Sequence, residues 1–170
     1  APSLSTTLEA PLKRTPVHLV TGFLGSGKTT LLRNQLALRK QNERCAVVVN
    51  DFGEASFDAT LLDGAVGMVE IPGGCVCCTA PEGLVPAVAE ILKSVNPDRI
   101  FIEPTGLARP ADILDTLARS DMAHRLELAP VVAMMDPSRL LESPPPPLML
   151  EQADGADVLV ANRVDLASPE

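Results

Sequence analysis

Short apolar runs alternate along the sequence with longer segments in which apolar residues recur every three or four positions. Short runs of this kind are typical of strands inside a sheet, and the longer spacing is typical of amphipathic helices. The predicted strands are residues 17–22, 45–50, 67–72, 99–104, 129–136 and 157–161. The predicted helices are residues 27–41, 81–95 and 111–120. This alternation predicts an α/β fold with a mostly parallel sheet flanked by helices.

Two segments do not follow this pattern. Residues 1–15 are largely polar and predict a flexible leader, which leaves residues 16–170 as one domain. Residues 142–148, "ESPPPPL", contain four consecutive prolines and predict a stiff surface loop without regular structure. Binding of this segment to a proline-recognising domain is the alternative interpretation.

Composition and charge narrow the classes of partner. The formal net charge is −8, and the sequence has four Phe but no Trp or Tyr, which argues against a nucleic-acid partner. No apolar run is long enough to span a membrane, and no apolar signal segment opens the sequence, so we expect no membrane association. Together with the small number of cysteines, these features predict a cytoplasmic protein whose thiols are reduced.

A glycine-rich segment follows the first predicted strand. "GFLGSGKTT" begins at Gly22 and fits the pattern G-x-x-x-x-G-K-[ST]. Glycines let backbone N–H groups approach phosphate oxygens, and the following helix directs its N-terminal dipole toward them. Lys28 would contact the β- and γ-phosphates, and the Thr29 hydroxyl would hold Mg²⁺. Because a predicted strand precedes the segment and a predicted helix follows it, the sequence predicts a nucleoside triphosphate site.

The segment "VLVANRVDL" bears on the identity of the base. It places Asn162 and Asp165 at the end of a strand that is predicted to be buried. A carboxylate can accept hydrogen bonds from the ring N–H and the exocyclic amine of guanine, and adenine lacks this pair of donors. The pair favours GTP, although Asn and Asp also occur in ordinary turns. Arg163 stands where most GTPases carry lysine, and its alkyl stem can still lie across the base.

Three carboxylates follow predicted strands. Asp51 and Glu54 follow the second strand, and Glu103 directly ends an apolar run before "PTG". Ligands of open α/β sheets bind at the carboxyl ends of the strands, so these residues could serve Mg²⁺, a second metal or an attacking water. Ordinary solvated loop acids are the alternative, most of all for Asp51 and Glu54.

Three of the four cysteines lie together in "GGCVCCT", as Cys75, Cys77 and Cys78. Thiolates are soft ligands that suit Zn²⁺, Co²⁺ or Cu⁺. A glycine-led turn could bring the three sulfurs round one ion, whose fourth ligand would be Glu70, water, a client protein or a second protomer. A redox pair or strained disulfide between Cys77 and Cys78, or three small buried apolar residues, are the alternatives. Cys45 opens a buried strand and is assigned to the core.

Taken in order, "GFLGSGKTTLL", "NDFGE", "GGCVCCT", "IEPTGLA" and "NRVDL" resemble the CobW family of metallochaperone GTPases. That family is related to the GTPases that help to insert nickel into urease and hydrogenase. The resemblance covers about residues 16–166, and the Cys-x-Cys-Cys motif makes it specific. The sequence departs from the family in "NDFGE", in Arg163 and in the proline run 144–147. Because it ends soon after "NRVDL", we expect a fragment that lacks the end of the GTPase domain and the family's C-terminal domain.

The resemblance implies that binding and slow hydrolysis of GTP gate the capture of a transition metal, commonly zinc or cobalt, and its delivery to a client metalloprotein. The catalytic residues that we expect are Lys28, Asp51 and Glu103. Those expected to bind nucleotide are Gly25, Ser26, Gly27, Lys28, Thr29, Thr30, Gly106, Asn162, Arg163 and Asp165. The expected metal ligands are Cys75, Cys77 and Cys78 for the transition metal, with Thr29 and Glu103 for Mg²⁺. A dimer that forms with nucleotide or metal is a further expectation.

Two other functions compete with this interpretation. One is a metal or redox sensor with a vestigial nucleotide site, which metal-responsive GTP turnover would exclude. The other is a different NTPase, such as a small-molecule kinase, in which the cysteines are incidental. Such a kinase predicts a preference for ATP, and Asn162 with Asp165 argues against it.

Overall fold

The computed structural model describes residues 13–49, 66–70, 81–140 and 145–167, without the side chains of 66, 70, 81 and 82. The strands in these ranges are β1 (Thr15–Gly22), β2 (Cys45–Val49), β3 (Val66–Glu70), β4 (Arg99–Glu103), β5 (Leu126–Leu128), β6 (Val132–Met135) and β7 (Val158–Ala161). The helices in the same ranges are α1 (Lys28–Ala37), α2 (Pro81–Ser94), α3 (Pro110–Ala118), α4 (Pro137–Leu140) and α5 (Pro147–Asp154). Short 3-10 turns cover Ala123–Arg125 and Val164–Leu166.

The described strands form one sheet in the order β3-β2-β4-β1-β6-β7, and β5 pairs with the first residues of β1. Each of these pairings is parallel. The predicted α/β class with a mostly parallel sheet is therefore confirmed. β1 lies between β4 and β6, so the segments that follow these three strands meet at one edge of the sheet.

The apolar residues of the strands alternate between the two faces of the sheet. In β2, Ala46 and Val48 pack into the core cluster that contains α2 and α3, whereas Val47 and Val49 pack with Leu32 of α1. All five residues of β2 are buried, because helices cover both faces of the sheet at this strand. An uninterrupted apolar run is what such a strand requires.

Helix α1 is shorter than the predicted helix at residues 27–41. It ends at Ala37, and the Arg39 guanidinium donates a hydrogen bond from Nη1 to the Leu36 carbonyl at 2.8 Å. A basic side chain bound to a terminal carbonyl is a common way to end a helix. The chain then turns into β2 through Asn42, whose φ is +68°.

The predicted strand at residues 129–136 is wrong in its extent. Only β6 (Val132–Met135) lies within it, while β5 ends at Leu128, before the predicted segment, and residues 129–131 separate the two strands. Ala129 still donates its backbone N–H to the Val17 carbonyl at 3.0 Å. The next residue, Pro130, has no N–H to continue the ladder, which explains the interruption.

The prediction that residues 142–148 lack regular structure is wrong at its end, and the sequence analysis missed helices α4 and α5. Helix α5 begins at Pro147, and Pro146 precedes it with φ −56° and ψ 128°. Proline fits the first position of a helix because its missing N–H would have no partner there. Met149 is fully buried in the fold. Residues 141–144 lie outside the described residues.

Strand β7 was predicted to be buried, and the structure contradicts this. Val158 is 45% exposed and Leu159 is 57% exposed. Within the described residues β7 pairs only with β6 and forms an edge of the sheet, so its second side has no neighbouring strand. Residues 1–12 of the predicted leader lie outside the described residues, and the division at residues 15 and 16 stays a prediction. None of the described helices has the length and apolar content needed to cross a bilayer.

Candidate functional site

The candidate site lies at the carboxyl edge of the sheet. The segments after β1, β4 and β6 are neighbours there, because β1 pairs with both other strands. Ligands of open α/β folds bind at this edge, where adjacent strands lead to helices on opposite faces. We call residues 22–29, which connect β1 to α1, the phosphate loop.

Two glycines of the phosphate loop occupy positions that no side chain would fit. Gly22 has φ +139°, and a Cβ atom there would lie 2.4 Å from the Met134 carbonyl oxygen. Gly27 has φ +102°, and its Cβ atom would lie 2.4 Å from Nδ2 of Asn162. Both values lie in the region that favours glycine. The spacing of glycines in the sequence therefore reflects steric limits of this loop.

Lys28 begins helix α1 and is almost completely buried. Its Nζ donates hydrogen bonds to the carbonyls of Gly22 at 3.0 Å and Phe23 at 3.2 Å. Burial lowers the pKa of Lys28, and the charge of Glu103 opposes this effect. Gly27 occupies the N-cap position and has no side chain that could accept hydrogen bonds from the first-turn N–H groups of α1. These N–H groups and the Lys28 ammonium lie at the same end of the helix. That arrangement suits an anion.

Thr29 and Glu103 form a hydrogen-bonded pair between α1 and β4. Thr29 Oγ1 donates to Glu103 Oε1 at 2.7 Å. The other carboxylate oxygen, Oε2, is buried and has no partner among the described residues. Burial raises the pKa of Glu103, and the Thr29 hydrogen bond and the Lys28 charge lower it in part. Hydroxyl and carboxylate oxygens are the ligands that Mg²⁺ prefers, so this pair fits that ion.

The end of β7 is tied to the phosphate loop through Asn162. Its backbone N–H donates to the Met135 carbonyl at 2.8 Å, and its Nδ2 donates to the Ser26 carbonyl at 2.9 Å. The next residue, Arg163, has φ +58° and leads into the 3-10 turn that contains Asp165. Asp165 is exposed in this turn. The predicted base-recognition segment is therefore joined to the phosphate loop through Asn162.

Sequence reasoning missed Asp136, which directly follows β6 and is 5% exposed. Its Oδ1 accepts hydrogen bonds from Ser138 Oγ at 2.6 Å and Ser138 N at 3.1 Å. Arg163 Nη1 lies 3.7 Å from Asp136 Oδ2. The hydrogen bond from the Ser138 hydroxyl lowers the pKa of Asp136 most, and the charges of Arg163 and Arg139 lower it further, so the pKa is low despite burial. The sequence signal for Asp136 was its position directly after an apolar run, which is also the position of Glu103.

Gly106 and Gln152 complete the described surroundings of the loop. A Cβ atom on Gly106 would lie 2.6 Å from the backbone nitrogen of Leu24, so the segment after β4 packs against the phosphate loop. Gln152 of α5 donates a hydrogen bond to the Gly106 carbonyl at 3.0 Å. No local pattern marks Gln152, because a single polar residue in an amphipathic helix is usually exposed.

Several predicted site residues cannot be placed. Asp51, Glu54, Cys75, Cys77 and Cys78 lie outside the described residues. In the ranges that the structure describes, no three His, Cys, Asp or Glu side chains are grouped as a metal site would require. Of the other predicted nucleotide-binding residues, Gly25 and Thr30 are exposed and Ser26 is buried. Cys45 is fully buried in β2, and burial raises the pKa of its thiol, in agreement with its assignment to the core.

The strand, glycine loop and helix, with a buried lysine and a threonine–carboxylate pair, define a P-loop nucleotide-binding domain. The chain belongs to the CobW/HypB/UreG nucleotide-binding domain family, whose profile matches residues 16–170. The predicted family is therefore confirmed.

Two curated relatives are described as zinc chaperones. The zinc chaperone YeiR of Escherichia coli (strain K12) is 41% identical over 159 residues, which cover 92% of this chain and 48% of YeiR. The zinc chaperone CobW of Sinorhizobium sp is 29% identical over 192 aligned positions, which cover 95% of this chain and 54% of that protein. The chain therefore spans about half the length of these relatives.

Among solved structures, the fold resembles a Zn(II)-bound triple mutant of the YjiA GTPase. The TM-score is 0.67 at 27% sequence identity, and the match covers 92% of this chain and 52% of that one.

Proposed function

We propose that this domain binds and hydrolyses GTP with Mg²⁺, and that hydrolysis drives delivery of a transition metal from Cys75, Cys77 and Cys78 to a client metalloprotein. Zinc is the leading cargo, and cobalt is the other candidate. The observation that carries the nucleotide part is the arrangement at the phosphate loop, where the buried Lys28 donates to the Gly22 carbonyl and the adjacent Thr29 donates to Glu103. The cysteine motif and the zinc chaperones among the relatives support the metal part.

The described residues supply distinct parts of a nucleotide site. Lys28 and the first-turn N–H groups of α1 would bind the phosphates. Thr29 and Glu103 would hold Mg²⁺, which when bound neutralises charge on the β- and γ-phosphates. Asp51, two residues beyond β2, is proposed to act in catalysis on the attacking water.

The topology gives a route for coupling between nucleotide and metal. Val49, the last residue of β2, is in register with Glu70 at the end of β3 and with Glu103 at the end of β4. Strand β3, which precedes the three cysteines in the sequence, therefore ends at the same edge and level of the sheet as Glu103. Nucleotide-dependent change at Glu103 could then alter the cysteine segment and its affinity for metal.

The decisive experiment is a titration of the full-length protein with Zn²⁺ in the presence and absence of Mg·GTP, combined with measurement of GTP turnover. We expect turnover that responds to Zn²⁺ and a metal affinity that depends on the nucleotide. Metal binding without measurable turnover would instead support a metal or redox sensor. Turnover of ATP in preference to GTP would contradict the proposal.

Asp165→Ala is expected to weaken GTP binding by about 2–4 kcal/mol. The exposed carboxylate is proposed to accept hydrogen bonds from the two donors of guanine, and alanine can accept neither. Asp154→Ala, which removes an exposed carboxylate at the end of α5, is the matched control. Calorimetric titration of both variants with GTP measures the difference. Equal affinities in wild type and Asp165→Ala would refute the guanine assignment.

Glu103→Gln is expected to abolish the Mg²⁺ dependence of GTP binding and to stabilise the nucleotide-free protein near neutral pH. Glutamine keeps the acceptor for Thr29 but removes the buried charge. Because the fold raises the pKa of Glu103 above 4.5, its contribution to stability is full below that pH and is lost as the pH rises through the raised value. The variant should therefore gain thermal stability relative to wild type across this pH window.

Melting temperatures measured from acid to neutral pH test the sign of this effect. Glu127→Gln, at an exposed position of β5, is the control and should follow the wild-type curve. A Glu103→Gln variant that loses stability relative to wild type as the pH rises would refute the assignment of a buried charge that is only partly compensated. Retained Mg²⁺ dependence would separately exclude Glu103 as a ligand.

A further inference from the structure

Gln152 of α5 is fully buried and uses both of its side-chain N–H groups. Nε2 donates to the Gly106 carbonyl at 3.0 Å and to the Ala108 carbonyl at 3.1 Å. Both partners only accept hydrogen bonds, so the nitrogen rather than the oxygen of the amide must face them. The remaining oxygen, Oε1, has no partner among the described residues. Gln152 therefore holds the segment after β4 by two carbonyl groups.

The same segment is also in contact with the phosphate loop. A Cβ atom on Gly106 would lie 2.6 Å from the nitrogen and 2.9 Å from the Cα of Leu24. Gly106 is thus confined between the backbone of the phosphate loop and the side chain of Gln152. Gln152, which binds the Gly106 carbonyl, lies 46 positions further along the sequence.

A surface ion pair also joins α5 to the segment after β4, and it can be compared with the contacts of Gln152. Arg109 Nε lies 2.9 Å from Glu151 Oε2, and these side chains are 61% and 48% exposed. Exposed ion pairs contribute little to stability, so this pair holds the segment only weakly. The buried amide of Gln152 is the stronger connection. Without it, the carbonyls of Gly106 and Ala108 would lose a hydrogen-bond donor at a buried position, where water cannot replace it.

We propose that Gln152 is a positioning residue that sets the preference of the site for GTP over GDP. In the proposed nucleotide site we expect Gly106 to contact the γ-phosphate, because it packs on the backbone of the phosphate loop, and Gln152 holds it in that position. This segment begins at Glu103, beside Thr29, at the end of the loop where the terminal phosphates are expected. GDP lacks the γ-phosphate, so its binding does not depend on Gly106. The inference rests on the proposed nucleotide site and assigns a role to a residue outside it.

The test compares Gln152→Met with Glu151→Gln in the full-length protein. Methionine has a similar length and can pack in the core, but it cannot donate to either carbonyl. We expect the ratio of affinities for a non-hydrolysable GTP analogue and for GDP to fall about tenfold in Gln152→Met, with GDP affinity unchanged. Glu151→Gln, which weakens only the surface ion pair, should leave the ratio unchanged.

The ratio separates positioning from general damage to the fold. A purely structural role would weaken both nucleotides equally or neither of them, and either result would overturn the proposal. A wild-type protein that binds no guanine nucleotide would overturn the proposed function as well. A wild-type preference for GTP that survives in Gln152→Met would refute the role of Gln152 alone.

A second measurement does not depend on folding of the variant. In isotope-labelled wild-type protein without nucleotide, the side-chain amide protons of Gln152 should exchange with water much more slowly than those of the exposed Gln41. Exchange as fast as that of Gln41 would show that the two hydrogen bonds do not persist, and the positioning role would be withdrawn.

Discussion

Lys28→Ala is expected to weaken GTP binding by about a thousandfold or more. Lys28 is 7% exposed, and its ammonium group donates to the carbonyls of Gly22 and Phe23. Its removal would leave the triphosphate without its buried positive partner, and no other described lysine is part of the phosphate loop. Calorimetric titration with GTP measures the loss directly.

Lys93→Ala is the matched control for this variant. Lys93 lies in the last turn of α2 and is exposed, so its loss should change neither affinity nor turnover. Because Lys28→Ala leaves the carbonyls of Gly22 and Phe23 without their donor, circular dichroism is needed to establish that the variant still folds. Undiminished GTP turnover in the folded Lys28→Ala variant would show that the phosphate loop is not the active site.

The central strands could be predicted because their uninterrupted apolar sequences match positions that are buried on both faces of the sheet. All of β2 is buried, and its sequence is uninterrupted apolar residues. The phosphate loop could be predicted for a related reason. The positive φ values of Gly22 and Gly27 are a local requirement of the backbone, so glycine at these positions is visible in the local sequence, although the atoms that a Cβ would meet, on Met134 and Asn162, are distant in the sequence.

The errors at β7 and α5 have a common cause. The exposure of Val158 and Leu159 depends on whether another strand pairs with the far side of β7, and an apolar run does not encode this. The start of α5 at Pro147 depends on packing of Met149 in the core, although a proline run by itself favours an irregular chain. Tertiary contacts decided both outcomes.

The candidate site was predictable in its residue types but not in its connections. Lys28, Thr29 and Asn162 were identified from motifs, and the structure adds that Asn162 binds the Ser26 carbonyl. This contact spans 136 positions of sequence and leaves no local pattern. Gln152 was missed for the same reason, since its partners are backbone groups after another strand.

Replacing Cys77 or Cys78 with serine is expected to remove most of the metal binding and, with it, the coupling to nucleotide. Co²⁺ bound by two or more thiolates gives an intense sulfur-to-metal charge-transfer band, which reports occupancy optically. In the wild-type protein we expect Mg·GTP to raise the apparent metal affinity by roughly fivefold to a hundredfold, as is usual for allosteric coupling. The band should weaken after hydrolysis to GDP.

Cys45→Ala is the matched control, because Cys45 is a thiol of the same chain that is fully buried in β2. Burial raises the pKa of this thiol and so disfavours the thiolate that metal binding requires. Its replacement should leave the Co²⁺ band intact and cost about 1 kcal/mol of stability through lost packing.

Reciprocity gives the coupling an independent check. If nucleotide raises metal affinity by some factor, metal must raise GTP affinity by the same factor. GTP titrations with and without Zn²⁺ should therefore agree with the Co²⁺ and Zn²⁺ titrations in wild type, and both effects should vanish together in Cys77→Ser. Metal binding that is indifferent to nucleotide and to these thiols would refute the delivery mechanism, because the metal would then be bound by other residues and without any coupling to the nucleotide site.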